Sequence, residues 1–184
     1  MSHTLPISSE DVNNNFKKVF KNLSVHQIKE AEFLKLPGIP KSWEQIPENG
    51  DAGDFRCTQS GATYELKVDL YAKRNDSETI FVEFSGTSYK GHAQVKGVCS
   101  SVATYFLFVT KECELLIIPR GVLLVTLLTG RFETKSTGIG KNGNIGLHGS
   151  NGFLVPLVTL KEIASNKLEL PPDFFELWQA WGVK

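Results

Sequence analysis

The sequence predicts an α/β domain in which helices flank a central mixed sheet. Three observations carry that expectation. Residues 63–72 alternate almost strictly, with Leu66, Val68 and Leu70 to one side and Glu65, Lys67 and Asp69 to the other, the pattern of a strand with one buried face. Residues 104–109 (Thr-Tyr-Phe-Leu-Phe-Val) are apolar on both faces, as inside a sheet. Phe16, Val19, Phe20 and Leu23 recur at helical spacing with lysines between them.

The chain has 184 residues and is 41% apolar, which suits a single domain with a real core. Its formal net charge is zero, so no global field draws it to nucleic acid or membrane. A nucleic-acid role would need local basic patches, for which Lys17, Lys18 and Lys21, Lys73 and Arg74, Lys90 and Lys96, and Lys135 and Lys141 are candidates. Cys57, Cys99 and Cys113 are too far apart for a zinc-ligand spacing and read as thiols in a reducing compartment. The N-terminus lacks a basic stretch followed by an apolar one, and no apolar run reaches the roughly 18 residues of a membrane span. The reading is therefore a soluble, cytoplasmic protein.

In chain order, residues 9–23 read as a first helix. Ser24 and Gln27 form a capping-box pattern that opens a second helix toward Leu36, ended by Pro37-Gly38-Ile39-Pro40. Residues 41–50 read as a polar loop, 55–59 as a short strand and 63–72 as the alternating strand. A charged turn over 73–78 leads to a third strand over 79–84, and 91–101 reads as a short helix. The buried strand at 104–109 and a second at 115–118 follow. Pro119 suits a helix start, and 122–128 reads as that helix. The Gly/Asn-rich stretch 133–152 reads as a long loop or hairpin tip, 153–158 as a last strand, and Thr159 as the cap of a short helix. Pro171-Pro172 opens a C-terminal helix over 171–182, whose Trp178 and Trp181 read as core or dimer packing rather than a base-stacking platform.

Chemistry concentrates at Gly53-Asp54-Phe55-Arg56 and Tyr64-Glu65-Leu66-Lys67-Val68-Asp69. If Ser60-Gly61 is a two-residue hairpin loop, Asp54 faces Lys67 and Arg56 faces Glu65. Opposed residues share a sheet face, so Asp54, Glu65 and Lys67 converge. Asp51, just off the strand end, ranks below Asp54. Mg²⁺ takes oxygen ligands from one or two carboxylates, completed by waters and a substrate phosphate. Asp54 and Glu65 supply the carboxylates, the Leu66 carbonyl a further oxygen, and Lys67 a cation that positions water and stabilises developing charge. Mn²⁺ suits the same ligands. The competing reading is a solvated charged face, the commoner meaning of such alternation on pattern alone.

The order of elements around these residues resembles the PD-(D/E)XK nuclease superfamily, with an Asp on one strand, Glu-x-Lys on the next, a third strand, a helix and a buried fourth strand. The Tyr64-Glu65-Leu66-Lys67 strand is similar to that of some type II restriction endonucleases. Small phage-type nucleases offer a longer likeness: Glu65-x-Lys67-x-Asp69, the strand Phe81-Val82-Glu83-Phe84, a Gly-containing helix start, the aromatic strand Tyr105-Phe106-Leu107-Phe108, and Ile117-Ile118-Pro119 before a helix. The resemblance covers about residues 10–130. The superfamily's name motif has proline before the aspartate, where this chain has Gly53, so Asp51 and Asp54 both stay open as the first ligand.

The resemblance implies a restriction-endonuclease-like αβββαβ core and Mg²⁺-dependent hydrolysis of DNA phosphodiesters, site-specific or general. Asp69 and Glu83 would be auxiliary acids. Lys90, His92, Gln94 and Lys96 would flank the cleft as phosphate contacts, with Lys141 and Asn142 reaching DNA from the Gly/Asn-rich loop. A twofold-symmetric target would imply a homodimer. The alternative is a nucleic-acid- or partner-binding module on the same fold that has lost catalysis.

Overall fold

The computed structural model describes residues 25–47, 52–87, 93–139 and 145–181. The predicted first helix, residues 9–23, lies outside them. Helix α1 is described over 25–33 and stops short of Leu36, in turns that reach Gly38 at φ +86°. Residues 41–50, expected as loop, contain strand β1, Trp43–Gln45. Trp43 is buried in the core, which is why this stretch orders as strand.

Strands β2 (Phe55–Cys57) and β3 (Thr63–Val68) form the expected hairpin. The alternation does not carry β3 to residue 72. Asp69 takes an extended conformation and accepts hydrogen bonds from the Tyr71 and Ala72 N–H groups, capping helix α2, Leu70–Arg74. An N-cap aspartate is worth about 1 kcal/mol, enough to turn the chain where period-two spacing alone would continue the strand.

Strand β4 (Thr79–Thr87) follows, then β5 (Ala93–Val95) and a 3₁₀ turn (Gly97–Cys99) where a helix was expected. Gly97 is the physical reason. It sits at φ +55°, and a Cβ there would stand 2.2 Å from the Glu83 carbonyl oxygen, so the chain turns against β4 and does not coil.

Strands β6 (Tyr105–Val109) and β7 (Glu114–Pro119) lead into helix α3 (Arg120–Thr129), with Pro119 at its N-cap. The Gly/Asn-rich stretch supplies much of two strands paired antiparallel, β8 (Glu133–Ile139) and β9 (Ile145–Pro156), in keeping with the hairpin alternative. Gly152 is there for close packing, since a Cβ would meet the Phe81 ring at 2.5 Å. Helix α4 (Leu157–Ile163) starts from Pro156, with Thr159 inside it, not capping it. Strand β10 (Asn166–Glu169), absent from the sequence reading, precedes helix α5 (Phe174–Ala180).

The architecture is mixed α/β, with the strands divided between two sheets. Six strands run in the order β1-β2-β3-β6-β7-β10, antiparallel except for the parallel pair β3 and β6. The second sheet is antiparallel, in the order β5-β4-β9-β8. The chain passes from β3 to its parallel partner β6 through α2, β4 and β5, so the expected third strand opens the second sheet.

Strand β6 explains the division. Leu107 and Val109 join Phe33, Phe55, Phe174 and Trp178 in one core, while Phe106 and Phe108 join Ile80, Val82, Leu116 and Leu123 in another. One face of the six-stranded sheet thus packs on α1 and α5, the other on the second sheet with α3 and α4. Trp178, buried at 8% exposure, is a core residue of the first layer. Among the described residues no helix is long and apolar enough to cross a membrane.

Candidate active site

Tyr64 and Leu66 anchor β3 in the first core, so Glu65 and Lys67 project from the opposite face. Parallel pairing sets Glu65 beside Phe106 and Lys67 beside Phe108, on the side that looks toward the second sheet. Burying a large apolar side chain is worth about 1.5–3 kcal/mol, whereas a partly exposed ion pair is worth at most about 1 kcal/mol. Leu66 and Tyr64 hold the strand; the charged pair does not.

The hairpin register differs from the expected one. Phe55 lies opposite Tyr64 and Arg56 opposite Thr63, and the Gly61 N–H closes the longer loop onto the Cys57 carbonyl. Arg56 pairs with Glu44, not with Glu65. The register is shifted by two residues, and β2–β3 pairing ends at Phe55 and Tyr64, with Asp54 just before β2.

Asp54 stands where β2–β3 pairing runs out. Its N–H donates to the Tyr64 carbonyl at 2.7 Å, and its Oδ2 accepts the Leu66 N–H at 2.7 Å. The carboxylate takes the place of a neighbouring strand and is pinned by it. A strand residue directs its N–H and C=O to the same side, so the Leu66 carbonyl faces Asp54. The turn that delivers Asp54 needs Gly53 at φ +97°, where a Cβ would meet the Tyr64 carbonyl oxygen at 2.7 Å. Proline, locked near φ −65°, cannot stand there.

Glu65 is held at both oxygens. Oε1 accepts the Lys67 ammonium at 2.5 Å. Oε2 accepts the Ser101 hydroxyl at 3.2 Å, and that hydroxyl in turn accepts the Ala103 N–H. Ser101 is 3% exposed and sits just before β6. Nothing in its local sequence marks it, because its partner is 36 residues away. Glu30 on α1 is a second residue missed by sequence; its Oε2 accepts from Gln45 Nε2 at 2.8 Å, and its charge bears on Asp54.

Burial and the adjacent Glu65 charge push the Asp54 carboxyl up to about 7, against the partial relief of the Leu66 N–H and Lys67. The folded state therefore binds a proton that the unfolded chain releases near pH 4. Stability of the metal-free protein is expected to fall as pH rises from about 4 to about 7, by at most about 1.4 kcal/mol per pH unit. Asp54→Asn should remove that dependence and melt higher than wild type at pH 8 without divalent cation. Thermal melts at pH 5 and pH 8 check this; equal pH slopes for the two proteins would refute it.

The other predicted residues are dispersed. Asp69 commits both oxygens, Oδ1 to the α2 N-terminus and Oδ2 to the Phe81 N–H at 3.2 Å, which is a structural post. Glu83 on β4 accepts the Ser150 hydroxyl of β9. Lys96 begins the 3₁₀ turn, and Gln94 lies in β5 rather than on a helix. Asp51, Lys90, His92, Lys141 and Asn142 lie outside the described residues.

Among the described residues no three His, Cys, Asp or Glu side chains cluster to hold a metal by themselves. Two carboxylates and a backbone carbonyl are the available set. They fit a cation that keeps waters and takes oxygens from its substrate, as Mg²⁺ does, and they fit a structural zinc poorly. A cavity of about 640 Å³ opens beside Lys67, between the six-stranded sheet and the second one. Comparison with family models, with curated proteins and with solved structures finds no match to this chain.

Proposed function

We propose that the chain is a Mg²⁺-dependent DNA endonuclease with a restriction-endonuclease-like core. The observation that carries this reading is that Asp54, held by the Leu66 N–H, feels the charges of Glu65 and Lys67, which pair on β3 beside an open cavity. A solvated charged face would leave these groups exposed. Glu65 is 18% exposed, and burial dominates the shift of Asp54. Two half-buried carboxylates that repel one another favour a cation beyond the ammonium that Lys67 already offers Glu65.

Asp54, Glu65 and the Leu66 carbonyl would hold the ion. Mg²⁺, or Mn²⁺ in its place, supplies a water of lowered pKa and neutralises charge gathering on the phosphate. Ser101 fixes the Glu65 carboxylate so that it need not reorganise when substrate arrives. Lys67, ion-paired with Glu65, would direct its ammonium at the scissile phosphate and the incoming water, an electrostatic role. Asp54 has to be ionised to bind the cation, so affinity for Mg²⁺ should weaken as pH falls below about 7.

The deciding experiment is incubation of the purified protein with plasmid and with single-stranded and branched DNA, with Mg²⁺ and with EDTA. Mg²⁺-dependent cleavage supports the nuclease, and mapping the ends separates a site-specific enzyme from a general one. Absence of cleavage on every substrate would leave the catalysis-free binding module.

A further inference from the structure

The cavity that Lys67 lines holds no surplus of charge. Its charged lining residues are the cations Lys67 and Lys135 and the acids Asp69 and Glu83. Each already has a partner. The Lys67 ammonium lies 2.5 Å from Glu65, and the Lys135 ammonium lies over the Tyr71 ring, 5.0 Å from its centre. Asp69 accepts the N–H groups of Tyr71, Ala72 and Phe81, and Glu83 accepts the Ser150 hydroxyl. A charged ligand would have to break one of these pairings or enter beside a like charge, and a buried charge without a partner is costly. The cavity therefore selects an uncharged guest.

The rest of the lining says what that guest is made of. Tyr71, Phe81, Phe106 and Phe108 place aromatic rings on it, with Val82 and Leu154 beside them. Rings stack on rings or meet them edge to face, so a flat aromatic body matches this surface. Ser150 also lines the cavity. Its hydroxyl proton is directed at Glu83, so its oxygen offers a lone pair and calls for an N–H or O–H on the ligand. At about 640 Å³ the volume is that of an ordinary small-molecule site. We propose that the cavity binds an uncharged aromatic small molecule carrying a hydrogen-bond donor. The site does not rest on the nuclease reading.

Two dyes built on the same rings test the site. N-phenylnaphthylamine is uncharged and carries one N–H, and anilinonaphthalene sulfonate adds a negative charge to that body. Both brighten on leaving water, and each is titrated with the metal-free protein by fluorescence. The uncharged dye should bind at least about tenfold more tightly than the sulfonate, because only the sulfonate brings a charge into a lining with none to spare. Leu154→Trp and Thr137→Trp fill the cavity from the second sheet, and each should weaken the uncharged dye by at least about tenfold. Thr137 is exposed on β8, so its variant should fold, and thermal melts check both. Leu128→Ser changes an apolar side chain that is 83% exposed on α3 and should leave dye binding as it is. Equal affinity for the two dyes, unchanged affinity in a folded filling variant, or loss of binding in Leu128→Ser overturns the proposal. A protein that binds the uncharged dye in this way yet never cleaves DNA would keep the site and remove the nuclease.

Discussion

Replacing Glu65 by glutamine is expected to lower Mg²⁺-dependent DNA cleavage by about 10²–10³-fold or more, the usual consequence of removing one preorganised electrostatic partner of a transition state. Glutamine keeps the volume and an oxygen for the Ser101 hydroxyl, but loses the charge that meets both the cation and Lys67. The loss is not one of folding. The Glu65 charge is the second cause, after burial, of the raised Asp54 carboxyl, so its removal should leave metal-free stability at pH 8 equal to or above wild type. Initial rates on plasmid, read beside a thermal melt, separate the two effects. A Glu65→Gln protein cleaving within about threefold of wild type would mean that the ion sits elsewhere, since loss of a first ligand leaves far less activity.

Gly53→Ala is expected to destabilise the fold by about 3 kcal/mol, the upper end of the cost of holding a non-glycine residue in a rarely populated backbone region. Strain is only part of the cause. The new Cβ would stand 2.7 Å from the Tyr64 carbonyl oxygen and 3.0 Å from its carbon, and that carbonyl is held by the Asp54 N–H. Relief by moving the backbone pulls Asp54 away from Glu65, so cleavage should fall with stability. For a chain of this size the melting temperature should drop by roughly 6–12 °C. Gly61→Ala provides the contrast, because Gly61 also has a positive φ, +74°, but meets nothing within 4 Å. It should cost about 1 kcal/mol, the strain alone. Equal melting shifts for the two variants would show that crowding at Tyr64 does not matter.

The strands with the strongest patterns were legible. Residues 104–109 follow from apolar residues on both faces, and the structure places those faces in two separate cores. The alternation of β3 identified Glu65 and Lys67 as one face and Leu66 as its anchor. What misled was local composition read without its neighbours. Residues 133–152 are rich in glycine and asparagine, yet Gly152 is a strand residue because the Phe81 ring lies across it. Residues 91–101 read as helix, yet Gly97 is pressed against the β4 backbone. The β10 segment is exposed and polar along most of its length, and only pairing with β7 makes it a strand.

For the site, side-chain alternation by itself determined that Glu65 and Lys67 share one face of β3, opposite Tyr64 and Leu66. Tertiary structure decided the rest. Which β3 residues stand beside Asp54 depends on the loop length of the hairpin, and the local residues do not dictate that length. Ser101 and Glu30 reach the acids from 36 and 24 positions away, across contacts that exist only once the two sheets and α1 have packed. The raised proton affinity of Asp54 has the same origin, because burial is a property of the assembled layers and of no single stretch of chain.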